Sequence, residues 1–90
     1  MATVRIPTPL RDLVANQRRI ELDSANVRMM IDQIDTDHPG FKERLLGADG
    51  ELSAFVQIYV GDEDIRFLEG LETELEDGTR VSIVPAAAGG

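Results

Sequence analysis

Polar and apolar residues alternate over Thr3-Val4-Arg5-Ile6 and again from Arg18 to Leu22, the period-two pattern of strands with one buried face. Pro7, Thr8 and Pro9 close the first segment, and Leu10, Leu13 and Val14 are expected to pack the connection between the two, which pair as an antiparallel hairpin. The period then changes. Val27, Met30, Ile31 and Ile34 fall at i, i+3, i+4 and i+7, the apolar stripe of an amphipathic helix, with Asp23 or Ser24 as its N-cap and Pro39-Gly40 as its stop. Phe41, Leu45 and Leu46 predict a short second helical turn ending at Gly47. After loop residues Ala48 to Glu51, Phe55-Val56-Gln57-Ile58-Tyr59-Val60 is the strongest strand signal in the chain, rich in β-branched and aromatic residues. Gly61-Asp62-Glu63-Asp64 predicts a turn, and Ile65, Phe67, Leu68 and Leu71 carry apolar contacts through a less regular region. A turn at Glu76-Asp77-Gly78 then leads to a last strand, Arg80 to Val84, with Val84 expected in a core position and Pro85 ending it.

Strand, strand, helix, then two or three strands is the order of an α+β layer, because one main helix can cover only one face of a sheet. A β-grasp arrangement satisfies it: a mixed sheet of four to five strands, with the last strand inserted beside and parallel to the first. Ninety residues make one domain, read as residues 1–85, followed by a flexible tail over residues 86–90.

Composition narrows the chemistry. Apolar residues at 42% and charged residues at 29% are ordinary for a globular protein, and no run of even ten apolar residues occurs, which argues against a membrane span. The first ten residues lack the basic start and apolar run of a secretory signal, so a cytoplasmic protein is expected. Cysteine is absent, which removes disulfides, thiolate metal sites and any sulfur held as a side-chain persulfide. His38 is the one histidine, and beside Pro39 at a helix end it reads as a capping or solvent residue rather than a ligand. Met29 and Met30 lie at helical spacing, where packing is the simpler reading than soft-metal binding.

The net charge of −8 is unevenly distributed: residues 1–48 hold seven acids and seven Lys or Arg, whereas residues 49–90 hold ten acids and two Arg. Nucleic acid is not expected as a partner of such a chain. The acids either keep a small protein soluble or steer it toward a basic enzyme surface.

After Pro85, Ala86-Ala87-Ala88-Gly89-Gly90 has no large side chain to contribute to a core. Five extended residues at about 3.3–3.6 Å each reach roughly 17 Å, enough to carry a terminal carboxylate into another protein's active site. Glycine at the last two places lets backbone pass a channel too narrow for a Cβ. A carboxylate is a poor electrophile and requires activation, for example as a mixed anhydride with AMP. This chain has no means of its own to do that, since no glycine-rich phosphate loop with a following Lys and Ser or Thr is present and Gly47 to Gly50 contains no lysine. Gly61 to Asp64 does not meet the twelve-residue calcium pattern, and Glu72 with Glu74, or Asp62 with Asp64, reads as a solvated acidic face rather than an acid–base pair.

Several of these segments together resemble the ubiquitin-like sulfur-carrier family of the MoaD/ThiS type. They are Val81-Ser82-Ile83-Val84-Pro85 with Ala86 to Gly90, the Asp77-Gly78 turn, Ile58-Tyr59-Val60-Gly61-Asp62-Glu63-Asp64-Ile65-Arg66-Phe67, the Ile6-Pro7-Thr8 start, and Pro39-Gly40-Phe41 with Glu43-Arg44-Leu45. The resemblance implies a β-grasp fold and a carrier, not an enzyme, that binds no cofactor. In it, an adenylyltransferase related to ubiquitin-activating enzymes uses ATP to convert Gly90 to an acyl-adenylate, and sulfur then replaces AMP to give a thiocarboxylate. A sulfur-accepting synthase takes the sulfur for cysteine or molybdopterin biosynthesis; the Tyr59 to Phe67 segment and the Pro-Ala-Ala-Ala-Gly-Gly ending look closest to the carrier that serves cysteine synthesis. Gly90 would carry sulfur, with Gly89, Ala88 and Ala87 threading the partner, and Phe67 and Leu68 are the candidate docking residues. Relatives that attach to lysines leave a second reading open, a protein modifier conjugated through Gly90.

Overall fold

The computed structural model describes residues 1–85, and the alternating first segment forms β1, Ala2–Arg5, with Val4 buried and Thr3 and Arg5 on the opposite face. β2, Arg19–Leu22, pairs with it antiparallel, Arg5 opposite Arg19 and Val4 opposite Ile20. Ile6, expected within the first strand, lies just past it, yet its N–H still bonds the Arg18 carbonyl at 2.9 Å. The connection is a 3-10 helix, Thr8–Val14, whose Leu10 and Val14 are buried and whose Leu13 packs partly against the core.

The four stripe residues Val27, Met30, Ile31 and Ile34 are the buried residues of α1, Val27–Asp37, while Met29 stays half-exposed. The N-cap is neither Asp23 nor Ser24 but Asn26, whose Oδ1 accepts the Met29 N–H at 2.9 Å. The cap sits later because β2 is followed by a bridge between Asn26 and Glu74 and by a 3.1 Å bond from the Val27 N–H to the Thr73 carbonyl, which hold this stretch extended. Ser24 Oγ donates to the Asn26 carbonyl instead. His38 closes the helix through its own N–H to the Ile34 carbonyl. A single carboxylate then organises the reversal: Asp35 Oδ1 accepts the N–H groups of Gly40 and Lys42 at 3.1 and 3.0 Å, and Gly40 takes the left-handed φ of 102° that opens the short helix α2, Phe41–Leu45.

β3 is Val56–Val60, one residue shorter than expected at its start. The predicted turn after it is only half turn. Gly61 and Asp62 reverse the chain, Gly61 at φ 63°, and Glu63–Asp64 return as a two-residue strand, β4, with Tyr59 opposite Asp64 and Val60 opposite Glu63. Acidic residues read as turn chemistry, but the backbone can pair whatever its side chains do: Glu63 is exposed, while Asp64 turns inward to cap the turn that follows. The irregular region resolves into 3-10 turns at Ile65–Phe67 and Gly70–Glu72, with Ile65 and Leu71 buried. Buried Thr73 is satisfied there, its hydroxyl donating to the Gly70 carbonyl at 2.7 Å and accepting the Glu69 N–H at 3.1 Å.

β5, Arg80–Pro85, completes the five-stranded sheet in the order β2-β1-β5-β3-β4, parallel to β1 and antiparallel to β3. This is the expected β-grasp arrangement, with α1 against one face of a mixed sheet. The core lies between them: Val4, Ile58, Val81 and Ile83 from the sheet meet Val27, Met30, Ile31 and Ile34 from α1, closed by Phe41 and Leu45 of α2. Each such aliphatic side chain contributes about 1.5–3 kcal/mol on burial. No helix among the described residues is long and apolar enough to cross a membrane.

Candidate functional site at the end of β5

β5 is an interior strand. Its neighbours hold it on both sides, β1 through Thr3–Arg80, Val4–Val81 and Arg5–Ser82, and β3 through five register pairs from Val60–Val81 to Val56–Pro85. Val81 and Ile83 point into the core, so Ser82 and Val84 face away from α1. Val84 is therefore not the core anchor expected of it: it is 39% exposed, because the period of two that buries Ile83 puts the next residue on the open face. Pairing continues one residue past that expectation, to Pro85, which lacks an N–H and suits the end of a ladder. The chain thus leaves the sheet from a fixed point on its rim. Gly90, Gly89, Ala88 and Ala87, with Ala86, lie outside the described residues.

The two docking candidates are at the surface. Phe67 is 83% and Leu68 42% exposed, whereas Ile65 in the same turn is buried. The turn is held rigidly from below. Asp64 caps it by accepting the Arg66 N–H at 2.9 Å, and Arg66 Nη2 donates to the Ser53 and Val56 carbonyls at 3.0 and 3.1 Å. Those two carbonyls flank Phe55, so one guanidinium ties the segment carrying Phe55 to the turn carrying Phe67 and Leu68. Phe55 is 64% exposed and was missed in the sequence, where it joins an almost unbroken apolar run. The signal was available in its parity: counting in steps of two from Gln57, Phe55 shares the face opposite to Val56 and Ile58.

One member of each acidic pair is occupied structurally. Asp64 serves as the cap just described, and Glu72 bonds Arg28 at 2.6 Å, a contact whose hydrogen bond, aided by the opposite charge, raises the Arg28 pKa above its ordinary value against an opposing desolvation. His38 Nε2 meets the Gln17 side chain at 3.3 Å. Among the described residues no group of three or more His, Asp or Glu is placed to hold a metal ion.

Known proteins share this arrangement. The model of the ThiS family matches residues 4–90. The sulfur carrier protein CysO of Mycobacterium tuberculosis is 41% identical over 90 residues, covering 98% of this chain and 97% of its own. The crystal structure of the BexX/CysO complex of Amycolatopsis orientalis contains a chain that superimposes with a TM-score of 0.92 at 42% identity, each chain covered in full. The small archaeal modifier protein 3 of Haloferax volcanii is 32% identical over 68 residues, 76% of this chain and 73% of its own.

Proposed function

The chain belongs to the ThiS family, and on that premise we propose that it is a sulfur carrier whose working group is the carboxyl of Gly90. The observation that carries the reading is the position of β5: an interior strand, paired on both sides, presents the five residues that follow it from one defined point on the domain. A partner that grips the body therefore knows where the terminus begins. The roughly 17 Å those residues span when extended is the depth of active site they reach.

The chemistry divides between the carrier and its partners. An adenylyltransferase of the ubiquitin-activating type binds ATP; the Gly90 carboxylate attacks the α-phosphorus and releases pyrophosphate, forming the acyl-adenylate. A sulfide-level nucleophile then attacks the acyl carbon, AMP departs with one of the original carboxylate oxygens, and a thiocarboxylate remains. The carrier binds no cofactor in this scheme and has no thiol to divert the sulfur, since it contains no cysteine. Reliance on ATP and on a sulfur-accepting synthase sets this work in the cytoplasm. The full-length likeness to CysO supports the carrier of cysteine synthesis over that of molybdopterin synthesis.

Gly89, Ala88 and Ala87 thread the partner because their side chains are absent or single methyls, and Phe67 with Leu68 docks against it. Incubation with the activating enzyme, ATP and sulfide tests the whole scheme: the intact mass rises by one oxygen-to-sulfur exchange, and a chain lacking Gly90 shows no gain. The likeness to an archaeal modifier protein favours a second reading, conjugation of Gly90 to lysines. It predicts higher-mass adducts carrying an isopeptide at Gly90.

A further inference from the structure

Five of the nine cationic side chains in this acidic protein gather in one place. Arg5, Arg11, Arg18, Arg19 and Arg80 line an open trough of about 970 Å³ on the side of the sheet away from α1. Their concentration is invisible in the linear charge distribution, because four come from the balanced first half and one from the acidic second half. Arg5 and Arg19 stand directly opposite each other across β1 and β2, and Arg80 lies beside Thr3 in the next row. Like charges directly opposite on a sheet are destabilising, so the free protein gains nothing from this placement.

Nor does any described salt bridge offset these charges. Among the described residues the salt bridges of Arg28, Lys42 and Arg66 each engage a carboxylate within 4.0 Å, and none involves any of the five trough arginines. Arg11 alone is committed, its Nε donating to the Ile6 carbonyl at 3.0 Å, and the others are exposed. Glu21 shares this face, opposite Thr3 in the row of Arg80 and two residues from Arg19, and none of the described salt bridges joins it to either, while Asp64, across from Tyr59 on β4, caps Arg66. Register also sets the trough beside the chain's exit. Arg5 is level with Ser82, Arg19 is opposite Arg5, and Ile83 and Val84 complete the wall as β5 runs out.

We infer that this trough docks an acidic surface of the partner protein that receives the C-terminus, an inference that rests on the carrier reading for its biological setting. Exposed guanidiniums spread over three strands suit an extended array of Asp and Glu side chains. A small phosphate would need donors converging on one point, and the backbone N–H groups of β1 and β5 are spent in the ladders. A nucleic acid would meet the same five arginines but also the repulsion of a chain at −8.

The test follows amide shifts of the full chain on titration with a polyglutamate peptide at low salt, beside inorganic tripolyphosphate and a single-stranded oligonucleotide. Shifts should centre on Thr3, Arg5, Arg19 and Ser82, fade with added salt, and weaken about tenfold in R5Q/R19Q but not in R44Q. Because R5Q/R19Q removes a like-charge pair, its Tm should be unchanged or raised by about 1–4 °C, which separates lost docking from lost folding. In the loading assay the same double variant should raise KM for the carrier about tenfold and leave kcat near its original value. Peptide shifts elsewhere, or indifferent to R5Q/R19Q, overturn the inference. So does tighter binding of tripolyphosphate or oligonucleotide at the same residues, peptide binding that appears only once residues 86–90 are removed, or an unchanged KM. A wild-type chain that is never loaded sinks the carrier reading instead, and the peptide titration still decides the trough.

Discussion

Val4 of β1 and Val81 of β5 lie side by side in parallel register, both fully buried beneath α1. This contact joins positions 4 and 81 of a 90-residue chain and locks the strand that precedes the C-terminal residues. Val84, three residues on and one before the ladder ends at Pro85, behaves oppositely and faces outward.

Val81→Ala should therefore cost about 1–3 kcal/mol in urea unfolding, from lost burial and the cavity left behind. Val84→Ala should cost less than about 0.5 kcal/mol, as a substitution on the open face. Equal losses at the two positions would contradict the assigned register.

Asn26→Ala removes the cap of α1 and should lower stability by about 0.5–2 kcal/mol, with Ser24→Ala costing less because its hydroxyl bonds a carbonyl outside the helix. Thermal unfolding followed by circular dichroism compares the two directly.

Arg66→Ala breaks two bonds to the Ser53 and Val56 carbonyls and should cost about 1–2 kcal/mol. The effect should be local. Hydrogen exchange should accelerate around residues 53–56 and 65–68 while the amides of β1 and β5 keep their protection.

Phe67→Ser should leave Tm within about 2 °C of the parent, since the ring is already in water. If the ring docks a partner, KM for the carrier in the loading assay rises; an unchanged KM would remove Phe67 from the docking surface.

Deletion of Gly90 should abolish the oxygen-to-sulfur mass gain and leave Tm unaltered, because glycine has no side chain to bury and the described core spans residues 2–83. Loading that survives the deletion would place the sulfur elsewhere.

The main helix was legible because its stripe is periodic and local: Val27, Met30, Ile31 and Ile34 are all buried. Its cap was not, because Asp23, Ser24 and Asn26 are equally good capping residues, and the choice was made by the bridge to Glu74, a residue 48 positions further on. Likewise the run from Phe55 to Val60 announced a strand but not its inward face, since apolar residues occupy both parities and burial depends on which one α1 covers.

What the sequence determined alone was therefore whatever neighbouring residues settle among themselves: the main helix, the longer strands, their order along the chain, and an ending of small residues. Tertiary structure decided which side of each strand faces water. That decision exposed Val84 and left Arg5, Arg19 and Arg80 on one face, where Arg11 and Arg18 join them. The physical reason is that a strand offers two faces of nearly equal standing, and only the element packed against one of them distinguishes core from surface.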